Sequence, residues 1–239
     1  MFCCCCPRSS TEEETEPLLR APASAQTEPL LGAPGSARQH HLSQPNGSEQ
    51  KHGEITARRV GVPDLDERFA DVKVTFNKQY EDYKQMEDRR KTLLHRYRCS
   101  PGDSLSKCLK KIKDEHDTHH IQLQLKGYDF SLAVTPEDTV PDKLKRTQEN
   151  VRELSQAAKA VVSVGTKLQE LASWILKKEK TLIQQVTEAA PTHQEKQRLV
   201  GNLQENLREV SRAKEQSLQY RVEAEKLLNE AGLLSGVTP

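Results

Sequence analysis

The sequence predicts an all-α fold: elongated helices with coiled-coil heptads, preceded by a disordered N-terminal tail. Three observations predict it. Apolar residues recur every three and four positions from Leu144 to Val186. Aromatic residues make up only 4% of the 239-residue chain while charged residues make up 30%, a balance that suits helices with solvated faces. The first sixty residues are rich in Pro, Ser, Gly, Ala and Glu and show no apolar period.

The tail is expected over 1–62. It holds a tandem repeat of twelve residues, Thr15 to Gln26 and Thr27 to Arg38. Two copies with two prolines each cannot stack into a solenoid, so they read as a duplicated linear motif. A two-helix segment is expected over 63–126. Its first helix runs from Asp64, a plausible N-cap after Pro63, to Arg98, with the stripe Leu65, Phe69, Val72, Phe76, Tyr83, Met86, Leu93 and Tyr97. Ser100-Pro101-Gly102-Asp103 breaks it. The second helix is expected from Ser104 to Leu125. Residues 127–141 read as a loop, because Tyr128, Phe130, Leu132 and Val134 alternate with no second strand to pair with.

The expected long helical hairpin covers 142–232. One row of its first arm is Leu144, Val151, Ala158, Gly165, Ala172 and Val186; the other is Leu154, Val161, Leu168, Ile175 and Leu182. Thr147 and Glu179 interrupt the rows. A single helix of about 43 residues would be about 65 Å long. Such a seam implies a partner helix, from a hetero-complex or a homodimer of coiled-coil chains. Thr192 and Glu195 fit a capping box that opens the last helix, and Gly232 fits its stop. A kinked continuation in place of the hairpin also fits the break at Pro191.

No run of about 18 apolar residues marks a membrane span, and no secretory signal is evident. The six Cys are therefore expected in a reducing compartment, not in structural disulfides. Cys3, Cys4, Cys5 and Cys6 lack zinc spacing; adjacent thiols on a tail suit S-acylation. Glu14 stands four residues before the pair Leu18-Leu19, the arrangement of an acidic dileucine signal read by clathrin adaptors. The second copy, Leu30-Leu31, has Gln26 in place of the acid. Between Arg89 and Lys113 lie nine basic residues against one acid, Asp103: Arg89, Arg90, Lys91, Arg96, Arg98, Lys107, Lys110, Lys111 and Lys113. An acidic partner helix, an anionic membrane surface and a phosphate backbone all fit such a patch. No RNA-reading aromatic motif or zinc finger accompanies it, which argues against nucleic acid. His116 and His120 stand four apart without a third ligand, so no metal or cofactor site is expected. No phosphate loop, nucleophile elbow or other catalytic motif appears.

Met1 to Leu31, with its Cys cluster and Leu pairs, is similar in kind to the acylated, dileucine-bearing tail that anchors the Ragulator scaffold on late endosomes; it departs at Phe2. The helical part resembles the small coiled-coil subunits of lysosome-positioning and organelle-biogenesis complexes. The resemblance implies a non-enzymatic adaptor or scaffold, held by a lipid anchor on the cytoplasmic face of endosomal, lysosomal or Golgi membranes, beside a cytosolic pool. The alternative is a cytoskeletal, centrosomal or kinetochore coiled-coil component whose Cys cluster is incidental.

Overall fold

A computed structural model describes residues 53–236. In order they form α1 (Pro63–Arg96), α2 (Leu105–Glu115), β1 (His120–Lys126), β2 (Asp129–Thr135), α3 (Asp142–Lys177), α4 (Glu179–Ala189) and α5 (His193–Leu234). The described residues are mostly helical, with one two-stranded antiparallel sheet among them.

Helices α1, α3 and α5 pack as a three-helix bundle. Helix α3 runs antiparallel to α1, since Gln79 meets Val161 while Arg96 meets Thr147. It also runs antiparallel to α5: Gln169 reaches Lys214, and Gly165 lies beside Arg221. Both rows of the α3–α4 seam face inward. Leu144, Val151, Leu154, Ala158, Val161, Leu168, Ala172, Ile175, Leu182 and Val186 are each at most 2% exposed. The small residues Ala158, Gly165 and Ala172 let two neighbouring helices approach at once. One of those neighbours, α1, lies outside the expected hairpin. Its stripe Leu65, Phe69, Val72, Phe76, Met86 and Leu93 covers the flank of the seam that a two-helix hairpin would leave open. Leu154, Val161, Leu168, Ile175 and Leu182 are therefore core of one chain, and the expectation of a seam open to another protein is corrected.

Several boundaries also differ from expectation. Helix α1 starts at Pro63, whose missing N–H costs nothing at the first helical position. Asp64 lies in the first turn instead of capping it, and Val62 holds the cap position without a side-chain bond. At the other end Cys99 N–H donates to Leu94 O (2.8 Å) and Arg98 N–H to His95 O (3.1 Å). That pairing is a Schellman stop, with Arg98 at φ 51° where glycine is usual.

The second expected helix ends ten residues early, at Glu115. Beyond it Ile121 and Leu123 are buried while Gln122 and Gln124 are exposed, a period of two that only a strand satisfies. The hairpin closes through Gly127-Tyr128, with Gly127 at φ +64° in the first loop position, where a tight primed turn requires it. Ile121 faces Val134, Leu123 faces Leu132 and Leu125 faces Phe130. The strand missing from the loop reading of 127–141 is thus the segment assigned to a helix. Helix α3 holds the hairpin by its outer edge: Phe130 N–H donates to Ser155 Oγ (2.8 Å), and Gln148 Nε2 donates to Leu132 O (3.0 Å).

The long helix expected from 142 breaks at Lys178, which lies between α3 and α4 at φ −104° and ψ 11°. Thr192 does cap α5, accepting from Glu195 N–H (3.2 Å). Helix α5 passes through Gly232, which is buried, and stops at Ser235 and Gly236, the latter at φ +76°. Ala231 is fully buried and Leu234 packs against the core, so one more turn is stabilised.

Candidate functional site

The cationic segment lies at the bundle end formed by the last turns of α1, the first turn of α3 and α2. Ser104 Oγ caps α2, accepting from Lys107 N–H (3.3 Å). Leu105, Cys108, Leu109 and Ile112 turn inward. By the period of 3.6, that turns Lys107, Lys110 and Lys113 to solvent, where all three are exposed. Lys111 Nζ donates to Arg98 O (2.7 Å) and ties α2 to the stop of α1. The carboxylate of Asp103 accepts from Ser100 N–H (2.9 Å) and pairs with Lys107 (3.3 Å). The backbone bond first, and then Lys107, favour the carboxylate and hold its pKa below the usual carboxylate range.

The nine basic residues do not form one surface. Arg89 turns along the bundle to Glu153 of α3 (3.0 Å), Arg90 to Glu87 (3.5 Å), and Arg96 donates to Thr147 Oγ1 (3.3 Å). All three are half-buried; Arg89 and Arg96 tie α1 to α3, while Arg90 pairs within α1. Lys91, Arg98, Lys110 and Lys113 are exposed and form no ion pair among the described residues. The topology adds cations that the linear reading could not place. Lys143, at the start of α3, lies 4.6 Å from the Tyr97 ring centre and pairs with Glu115. Lys145 and Arg146 follow it on the same first turns and are exposed. The only advance sign was their position just after a helix start; residues 97–142 separate Lys143 from the end of α1.

His116 caps α2, is buried, and stands 3.4 Å from the Tyr97 hydroxyl and edge-on to its ring. Tyr97 in turn bonds Thr147 Oγ1 (2.8 Å). Burial lowers the His116 pKa most, and the Glu115 carboxylate opposes that. Because α2 ends at Glu115, His120 stands on β1 and the helical pairing of the two histidines is lost. No group of three metal-binding side chains occurs among the described residues.

Residues 53–62, expected within the tail, are ordered as an extended strap in the groove between α1 and α5. Ile55 and Val60 are 2% and 0% exposed. Asn77 of α1 takes both backbone groups of Ile55, accepting from its N–H (2.9 Å) and donating to its carbonyl (3.2 Å). Asn206 of α5 does the same to Arg58, at 2.8 and 2.7 Å. Asn202 donates to Arg59 O (2.8 Å), and Asp66 accepts from Val60 N–H (2.6 Å). Sequence reasoning missed the strap because two isolated aliphatics in a polar stretch carry no period. Farther along the same groove Tyr80, Tyr83 and Tyr220 stack, Tyr83 lying 4.1 Å from Tyr220 between centroids.

Cys3, Cys4, Cys5, Cys6, Glu14, Leu18, Leu19, Leu30 and Leu31 lie outside the described residues. No helix among those described is long and apolar enough to cross a membrane. The chain matches no family model, no curated protein and no solved structure.

Proposed function

We propose that the chain is a non-enzymatic adaptor or scaffold, tethered by acyl groups on Cys3 to Cys6 to the cytoplasmic face of endosomal, lysosomal or Golgi membranes. The observation that carries this reading is the solvent-facing cationic row Lys107, Lys110 and Lys113 beside Arg98, with Lys91 one helix away. Stable anchoring takes two signals. Neighbouring acyl chains supply one; a basic surface meeting anionic headgroups supplies the other. The Leu18-Leu19 pair, with Glu14, selects the organelle through clathrin adaptors. The apolar rows of α1, α3 and α5 are buried in the chain's own bundle, so contacts with coiled-coil partners fall to the outer faces of the helices.

Each Lys near an anionic surface is worth about 1 kcal/mol. Replacing Lys107, Lys110 and Lys113 with Gln should therefore weaken binding of the purified chain to phosphatidylserine vesicles about 100-fold. In cells, replacing Cys3 to Cys6 with Ser should release the protein to the soluble fraction. The reading fails if acyl exchange finds no thioester on the wild type and the triple Gln variant sediments with vesicles as the wild type does.

A further inference from the structure

The strap is held as a ligand is held. Its 53–60 segment forms no helix or strand of its own. Its backbone is bonded instead by side-chain amides from two different helices, each taking the N–H and the C=O of one residue. Such bonds do not depend on which side chain the clasped residue carries. Thr56, Arg58 and Arg59 are exposed, and only Ile55 and Val60 enter the groove deeply. Asn206 is 2% exposed with the strap in place, so its amide is given to the clasped backbone and not to solvent. The groove is therefore built around a peptide backbone. Its present occupant is joined to α1 by Gly61, at φ +78°, and Val62 alone.

We propose that the α1–α5 groove is an exchangeable peptide-binding site, in which residues 53–62 act as an intramolecular ligand. The partner it fits is an extended segment with β-branched apolar side chains at two positions five apart, like Ile55 and Val60. It carries no proline at the two clasped positions, because each must donate an N–H. This is recognition by backbone bonds plus two apolar pockets, with helices in place of a sheet edge. The proposal is independent of lipid contact and of acylation.

The test uses the full chain carrying Ile55→Asp with Val60→Asp, which loosens the strap. The probe is a fluorescein-labelled synthetic peptide of residues 53–62, followed by anisotropy. The loosened chain should bind it saturably, and the wild type, whose groove is filled, about ten-fold more weakly or worse. Adding Asn77→Ala with Asn206→Ala should cost the loosened chain at least about ten-fold. Alanine at peptide positions 56, 58 and 59 should leave affinity within about three-fold. Absence of saturable binding, or binding indifferent to both Asn changes, overturns the proposal. So does a concentration-dependent dimer of the loosened chain that captures no peptide, which would put a second copy in the groove. Hydrogen exchange on the wild type provides a measurement that needs no variant. The Ile55 and Arg58 amides should exchange through a local opening, ahead of the amide of Phe76 in α1. Exchange of all three only on global unfolding overturns the proposal as well.

Discussion

Gly165 and Gly201 are both helical glycines, and replacing each with Ala should move stability in opposite directions. Gly201 is exposed on α5, and a Cβ there meets nothing within 4 Å. The helix propensity gain of about 1 kcal/mol should appear undiminished. Gly165 is buried where the three helices approach one another. A Cβ there would overlap the amide nitrogen of Gln79 and lie 2.6 Å from Arg221 Cγ. Gln79 is fully buried and donates to Val161 O (3.0 Å) and Ser217 O (3.4 Å), tying α1 to both other helices. Its amide cannot retreat without breaking those bonds. Overpacking costs about 1–3 kcal/mol, and an orphaned amide about 1–3 kcal/mol. Set against the propensity gain, Gly165→Ala should destabilise by about 3 kcal/mol. At about 2–4 °C per kcal/mol for a chain of this size, the midpoint falls by about 6–12 °C. Thermal and urea melts followed by far-UV circular dichroism measure it. In a Gln79→Ala background the same change should cost far less, since the amide is gone and Arg221 can swing outward. A Gly165→Ala protein as stable as Gly201→Ala would refute the close-packing account of this glycine.

Acidification should weaken the fold through His116. Burial lowers its folded pKa below the unfolded value of about 6.5, so the unfolded chain binds the extra proton. Stability is complete above that pH and is lost as pH falls through it. Urea midpoints from about pH 7.5 to about pH 5 should decline, and His116→Gln should flatten the decline; an unchanged slope rejects the assignment. Leu168→Asp with Ile175→Asp puts two unpaired charges into the bundle core and should abolish cooperative unfolding, not merely detach a partner. The exposed control Lys167→Glu should stay within about 0.5 kcal/mol of wild type. A double Asp variant with a wild-type melt would return the seam to the surface.

The long helices were legible because their information is local and periodic. Leu65, Phe69, Val72 and Phe76 announce a helix face, and Leu154, Val161 and Leu168 announce another. Which faces meet is not local. The α3 seam looked open to another chain because nothing between 97 and 144 shows that α1 folds back onto it. The hairpin was hidden by a boundary. Ile121, Leu123 and Leu125 alternate, but they follow α2 so closely that its period was carried through them. The basic patch was legible as charge and illegible as shape: rotation about α1 sends Arg89 to Glu153, and the break at Cys99 lets α2 present Lys107, Lys110 and Lys113. The strap left no sequence signature because its strongest bonds use its backbone, which every residue shares.

The strap also sets an order of events during synthesis. Arg58 is clasped by Asn206, a residue 148 positions later in the chain. At about 5–20 residues per second, the ribosome needs roughly 7–30 s to make the second residue after the first. Through that interval α1 can form, and α3 can pack on it, while Ile55 and Val60 have no complete groove to enter. A newly made chain therefore passes through a stage in which residues 53–60 are still outside their groove and accessible to enzymes and chaperones at the tunnel exit. Release of α5 from the ribosome ends that stage.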